Sequence, residues 1–227
     1  MATLLQIETA TQVCSVALSK DGQTIMLKER MANNIHASNL TLFIQEVMTA
    51  AGLQYTDLDA IAVSKGPGSY TGLRIGVSTA KGLCFALDKP LLGIDTLQMM
   101  AEGFLIENPG YDGLICAMID ARRMEVFTAV YNAGLNPVIP VNAKIIDEHS
   151  FEEILKENKV TFIGDGAAKC KDVLQHAHAA FSESNYNSAT HMSRLANQAF
   201  HAAEFEDVAY FEPFYLKDFV FTTPKKK

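Results

Sequence analysis

The run Gly66-Pro67-Gly68-Ser69-Tyr70-Thr71-Gly72-Leu73-Arg74-Ile75-Gly76 constrains this chain more than any other segment. It follows an apolar run, Asp59 to Lys65, and opens a long helical pattern. A glycine-rich turn between a strand and a helix leaves backbone N–H groups free, which suits phosphate. The spacing is not that of a P-loop, because no Gly-Lys-Ser/Thr opens the helix, and it does not match a dinucleotide fingerprint. On pattern alone, a tight structural turn and an anion cradle fit equally well. The helix carries a second signal, because Gly72, Gly76, Ala80 and Cys84 recur every fourth residue. Such a row forms a shallow groove that another helix can approach closely. Glycine inside a helix costs about 0.8–1 kcal/mol relative to alanine, so these two require a reason. Either the row packs inside the monomer, against the helix containing Leu40 to Ala51 or against the sheet, or part of it stays open for a partner's helix.

The surrounding pattern is α/β. Leu4 to Ala10, Val13 to Leu18 and Thr24 to Glu29 read as three antiparallel strands, with Asp21-Gly22 as a hairpin turn. Residues 37–53 read as a helix with Leu40, Phe43, Ile44, Val47, Met48 and Ala51 on one face. Strands at Asp59 to Lys65 and Leu91 to Ile94 flank a second helix at Thr71 to Leu87, and Thr96 caps a third helix reaching Ile106. After Asn108-Pro109-Gly110 the order resumes with a hairpin, Gly113 to Asp120 and Met124 to Tyr131, and a strand at Val138 to Ile146. A helix at Phe151 to Glu157, a strand at Val160 to Ile163 and helices at Ala167 to His178 and Met192 to Ala203 follow. The second half thus echoes the first in element order, without a sequence repeat. A duplicated unit explains the echo, and so does the plain alternation of any α/β chain.

Charge and cysteine usage exclude several classes. The 227 residues hold 19 Lys plus Arg and 26 Asp plus Glu, a net charge of −7. That balance disfavours gripping nucleic acid through a global field, or a polybasic membrane surface. Lys225-Lys226-Lys227 reads as a solvated tail. No run approaches the ~20 apolar residues of a membrane span. Gln6 and Glu8 interrupt the opening apolar run where a signal peptide needs a continuous centre, so a cytoplasmic protein is expected. Cys14, Cys84, Cys116 and Cys170 form no C-x-x-C pair and read as buried thiols in a reducing compartment.

The run GPGSYTGLRIG, preceded by DLDAIAVSK and followed by VSTAKGLCFALDKPLLGIDTL, resembles the TsaB (YeaZ) family, as does the opening LLQIETATQVCSVAL. CAMIDARRMEVFTAVY, FIGDGA and PFYL resemble its second half. The resemblance implies an α/β, actin-like ATPase (ASKHA) fold with two RNase H-like domains, residues 1–107 and a reduced 108–227. It implies a non-catalytic subunit of the bacterial machinery that places threonylcarbamoyl on the adenosine beside the tRNA anticodon. The family's partner TsaD holds the metal and transfers the group, and TsaE, an ATPase, joins the assembly. Pairing with TsaD, or with a second copy, runs through the first two helices. The interface residues so implied are Leu40, Phe43, Ile44, Val47, Gly72, Leu73, Gly76, Ala80 and Cys84. On that reading Gly76→Leu abolishes the heterodimer and leaves the monomer folded. The chain alone requires no cofactor, ATP or ADP belongs to the complex, and tRNA is met only indirectly.

Departures from the catalytic relatives support this expectation. TsaD-type chains hold metal through two histidines four residues apart, whereas His36 here is followed by Leu40, so no metal site is expected. His36 then reads as a surface or capping residue, and His176 and His178 as pointing apart on a helix. Actin-like kinases place Asp at the end of the first strand; this chain has Glu8. In the second hairpin Asp120-Ala121-Arg122-Arg123 puts two bulky cations where backbone approaches phosphate. Gly164-Asp165-Gly166 faces an adenosine or makes a strand-to-helix turn. Glu8, Thr9, Thr11, Asp120 and Asp165 are the candidates for nucleotide contact. The alternative function is a small-molecule kinase or ATPase of the same superfamily, with Glu8, Thr9, Asp120 and Asp165 around a metal nucleotide. A third reading, a tRNA-binding module using Arg122, Arg123 and Lys144, runs against the acidic balance. No Ser/His/Asp set supports the peptidase names attached to relatives.

Overall fold

The computed structural model describes residues 1–32 and 35–217. The first half comprises β1 (Thr3–Glu8), β2 (Val13–Lys20), β3 (Gln23–Met31), α1 (His36–Ala51), β4 (Ala60–Gly66), α2 (Tyr70–Leu87), β5 (Leu91–Asp95) and α3 (Thr96–Glu107). The second comprises β6 (Leu114–Asp120), β7 (Glu125–Tyr131), β8 (Pro137–Ile145), α4 (Glu152–Glu157), β9 (Val160–Ile163), β10 (Ala179–Phe181) and α5 (Ser193–His201).

Two five-stranded sheets have orders β3-β2-β1-β4-β5 and β8-β7-β6-β9-β10. In each, the first three strands are antiparallel and the last two run parallel to the first. The same permutation in both halves is the duplicated unit that the element order left open, and it agrees with the actin-like fold implied by the resemblance. Strand alternation sends successive side chains to opposite faces. Leu5, Ile7, Val16, Ile61 and Val63 therefore meet α1 and α2 on the outer face of the first sheet. Leu4, Ala60, Ala62, Leu92 and Ile94 meet α3 on its inner face, together with Ile115, Ala117 and Ile119 of the second sheet. With both faces covered, β4 opens as an unbroken apolar run, Ala60 to Val63, and even the polar Gln6 and Glu8 of β1 are buried.

The outer layer of the second sheet is reduced. Its helix α4 has only 6 residues. The helix expected at Ala167 to His178 is a single 3-10 turn, Ala168–Cys170. The Val160 N–H bonds the His178 carbonyl at 2.9 Å, which draws the chain to the sheet edge, where β10 pairs with β9. A helix through residue 178 is incompatible with that pairing. His176 and His178 consequently sit together, with ring centroids 5.4 Å apart, instead of pointing apart. At α3 the cap is the Asp95 carboxylate, which accepts from the N–H groups of Leu97 and Gln98, and not Thr96.

The expected boundary at 107/108 separates the two sheets, but the end of the chain returns to the first. Tyr186, Met192, Leu195 and Ala196 complete the inner core. Thr24 Oγ1 lies 2.7 Å from both Thr190 Oγ1 and Ser193 Oγ, and Ser188 Oγ donates to Glu29 at 2.6 Å. The Glu206 N–H donates to Leu91 O and the Phe214 N–H to Lys65 O, at 2.9 and 2.7 Å. This return covers apolar surface on the inner face of the first sheet that α3 leaves open.

Candidate functional site

The turn between β1 and β2 crosses the first turns of α2 at backbone contact. Ser69 N–H donates to Ala10 O at 2.6 Å, and Thr9 Oγ1 donates to Gly72 O at 2.8 Å. A Cβ on Gly72 would lie 2.1 Å from Thr9 O, one on Gly76 2.2 Å from Thr9 Oγ1, and one on Gly68 2.5 Å from Ala10 O. The glycine row therefore answers the β1–β2 turn of the same chain. Ala80 and Cys84 continue the row into the core beneath α2.

The nine residues expected at a partner interface are accordingly sealed. Leu40, Phe43, Ile44 and Val47 are at most 5% exposed, as are Leu73, Ala80 and Cys84, and Gly72 and Gly76 are buried. Helical periodicity identified the buried face correctly, but the first sheet covers it. The opposite faces of the same helices are open. Leu42 on α1 is 51% exposed and Phe85 on α2 is 87% exposed. A Cβ on Gly82 would meet nothing within 4 Å. The sequence signal for these residues is an apolar or glycine position on the otherwise polar side of an amphipathic helix.

Glu8 ends β1 in full burial. Its Oε1 accepts from the Ala10 N–H at 2.5 Å, and Oε2 has no partner. Burial pushes its carboxyl up to about 7, against the opposing pull of the Ala10 N–H and the Ser64 hydroxyl. Burial also raises the Cys14 thiol, to about 11, with the Glu8 charge adding to it. The Thr9 hydroxyl is spent on Gly72, and Thr11 Oγ1 accepts from the Val13 N–H at 3.3 Å. His36 is a buried brace and not a surface residue. Its Nε2 is 2.7 Å from the Thr11 carbonyl, which can only accept, so Nε2 is the donor.

Asp120 and Asp165 lie on the second sheet. Asp165 Oδ1 accepts from the Asp120 N–H at 3.0 Å, and burial raises the Asp165 carboxyl. Asp120 Oδ1 accepts from the Arg122 N–H at 2.8 Å and pairs with Lys169. Arg122 and Arg123 hold φ of 71° and 51°, a left-handed conformation costing about 1–2 kcal/mol per non-glycine residue. No hydrogen bond or ion pair among the described residues joins Glu8, Thr9 or Thr11 to Asp120 or Asp165. Gly164 and Asp165 do line a cavity of about 360 Å³ with Met31 and Phe181, residues that the sequence did not single out. Among the described residues no cluster of three or more His, Cys, Asp or Glu side chains could hold a metal ion.

The family model described as TsaD: tRNA N6-adenosine threonylcarbamoyltransferase matches residues 29–225. The tRNA threonylcarbamoyladenosine biosynthesis protein TsaB of Bacillus subtilis is 32% identical over 179 residues, 76% of this chain and 75% of that protein. The chain belongs to the TsaB (YeaZ) family. TsaB of Escherichia coli is 38% identical over 135 residues, 60% of this chain. There the match spans only 57% of the relative's length. A Pseudomonas aeruginosa crystal structure, described as an uncharacterized protein with similarity to peptidase YEAZ, superposes with a TM-score of 0.84 at 27% identity, covering 96% of this chain and all (100%) of that one. Component A of (R)-2-hydroxyglutaryl-CoA dehydratase from Acidaminococcus fermentans, at 10% identity and a TM-score of 0.51, shares the fold alone.

Two predictions follow from this geometry in the TsaB-family chain. Gly76→Leu damages the fold itself, lowering unfolding free energy by at least about 1–3 kcal/mol in urea titration, since no side chain fits above Thr9. Glu8 is held protonated by the fold. Its stabilising contribution is complete below the ordinary carboxyl value near 4.5 and is lost as pH rises through about 7. The loss is on the order of 3 kcal/mol. Glu8→Gln, which cannot ionise, should be more stable than wild type at pH 8 and lose that advantage at pH 4. If the two proteins keep a constant difference across this range, Glu8 does not titrate as its burial implies.

Proposed function

We propose that this chain is the non-catalytic, TsaB-type subunit of a bacterial assembly that builds threonylcarbamoyladenosine on tRNA. It dimerises with a TsaD-like transferase and activates it, with a TsaE-like ATPase joining the assembly in the cytoplasm. The observation that carries this reading is Glu8. At the position where an actin-like kinase presents a carboxylate to a metal nucleotide, this side chain is sealed and bound to its own turn. Thr9 is likewise spent, and Asp120 is paired with Lys169. The chain accordingly requires no cofactor of its own, and ATP or ADP belongs to the complex.

The docking face in this reading is the outer side of α1 and α2, displaced from the residues first expected. Gly82 supports it independently. A mid-helix glycine costs about 0.8–1 kcal/mol, and nothing within the chain uses the space it leaves. Beside it in sequence, Phe85 holds an aromatic ring in water. Small residues with a large apolar neighbour suit close helix packing. The same face serves self-pairing when the partner is absent.

The kinase or ATPase reading rests on the cavity beside Gly164 and Asp165. Calorimetry and phosphate release with Mg-ATP on the isolated chain separate the two. The subunit reading expects no turnover, and turnover at enzymatic rates removes it. For the interface, Gly82→Ala should stabilise the isolated chain by about 0.8–1 kcal/mol while weakening the heterodimer. Phe85→Glu should abolish the heterodimer on a sizing column without lowering the thermal midpoint. Undiminished complexes with both variants would place the interface elsewhere.

A further inference from the structure

The β6–β7 hairpin carries two arginines that the fold does not use. Arg122 and Arg123 are exposed, with φ of 71° and 51°. Glycine or asparagine adopts that conformation with less strain. Neither guanidinium makes a hydrogen bond, ion pair or ring contact among the described residues. The nearby carboxylates are already occupied. Asp120 pairs with Lys169, Glu125 pairs with Lys217, and Asp165 accepts from the Asp120 N–H. Lys144 stands opposite Val126 in the neighbouring strand. Lys144 lies over the Phe151 ring with Asp147 beside it, Lys169 answers Asp120 and Lys217 answers Glu125, so Arg122 and Arg123 are the cations here without an anionic partner among the described residues, on a chain whose net charge is −7.

We propose that this hairpin is a direct RNA contact, with Arg122 and Arg123 gripping two phosphates of the tRNA backbone. The proposal rests on the reading that the chain works in a tRNA-modifying assembly, and it replaces the expectation that tRNA is met only indirectly. A guanidinium presents two parallel N–H donors that match phosphate oxygens. Neutralising the surrounding carboxylates removes the local repulsion that a polyanion would meet. An acidic protein surface offers similar oxygens, but a stable protein contact also needs a desolvated apolar centre. Residues 120–125 expose no large hydrophobic side chain, and Ile145, exposed opposite Glu125 in β8, adds one aliphatic group, too little for such a centre. Phosphate binding by charge requires none.

The test uses fluorescence anisotropy of an unmodified tRNA transcript with the full chain, alone and together with a TsaD-like subunit, across about 50–200 mM salt. Arg122→Asn combined with Arg123→Gly removes both charges and relaxes the backbone, so the thermal midpoint should not fall. This double variant should bind tRNA about tenfold more weakly at low salt, with the log–log salt slope reduced by about 1–2. Arg122→Lys with Arg123→Lys should recover most of the affinity. Equal affinity and slope for wild type and the Asn/Gly variant would overturn the proposal, as would a wild type without salt-sensitive tRNA affinity in either form. Unchanged tRNA affinity with loss of the TsaD-like subunit would make the hairpin a protein contact instead. Because heterodimer formation is read separately, the subunit assignment stands or falls apart from this result.

Discussion

The backbone of Thr9 lies so close to α2 that no side chain fits between them. Much of the first half depends on this contact. It requires glycine at 72 and 76, and it ties the β1–β2 turn to the helix through the Thr9 hydroxyl and the Ser69 N–H. From the other side of the same turn, His36 anchors the start of α1 to the Thr11 carbonyl. One four-residue turn thereby sets the positions of both outer helices relative to the sheet. Held to the turn by two hydrogen bonds and by the close contacts at Gly72 and Gly76, α2 has little freedom to slide, so its exposed face is a fixed surface. That rigidity suits docking, where every side chain ordered on binding lowers affinity.

The same turn closes over the end of β1. Glu8 bonds to Ala10 and not to solvent, and Gly68 admits the Ala10 carbonyl where a longer side chain would stand. Burying a carboxyl with one bare oxygen is unfavourable unless the group is protonated, which is why its titration moves toward neutrality. On the opposite sheet the Asp165 carboxylate accepts from the Asp120 N–H, and the Asp120 carboxylate accepts from the Arg122 N–H and pairs with Lys169. At both strand ends the carboxylates thus bond the chain's own atoms, Glu8 in full burial and Asp120 at the surface.

The order of elements was legible because alternation and helical spacing follow directly from burial. Leu40, Phe43, Ile44 and Val47 form a core face whatever covers it. What covers it was not legible, since periodicity reports that a face is dry and says nothing about which surface dries it. The glycine row misled for that reason: close approach was inferred correctly, and the approaching element was a turn more than sixty residues away in sequence. His36 failed similarly, since its buried hydrogen bond depends on where Thr11 lies in space. The helix at 167–178 had the buried positions Ala167, Cys170 and Leu174 at helical spacing, yet pairing of β10 with β9 prevailed. Three-residue strands such as Ala179–Phe181 leave no periodic signal. The return of α5 to the first sheet is set by tertiary packing alone.

Gly72, Gly76 and Gly82 lie on one helix and look equivalent in the sequence, but their neighbourhoods differ. At 72 and 76 the chain's own atoms occupy the space of a Cβ; at 82 the space is empty. Arg122 and Arg123 present the complementary case, side chains placed in a backbone conformation that smaller residues adopt more easily. Phe85 is a third, an aromatic ring left almost wholly in water. Each departs from what the isolated fold favours, by roughly a kilocalorie for the glycine and for each arginine, and no hydrogen bond, ion pair or ring contact of the Arg122, Arg123 or Phe85 side chain within the described residues offsets it. Consistency between local preference and global fold is the rule in a folding sequence, and departures concentrate where something other than folding selects the residue. By that criterion the departures fall in two places, the outer helical face around Gly82 and Phe85 and the arginine hairpin of the second sheet. The turn that follows the sealed end of β1 holds the helix bearing the first of them.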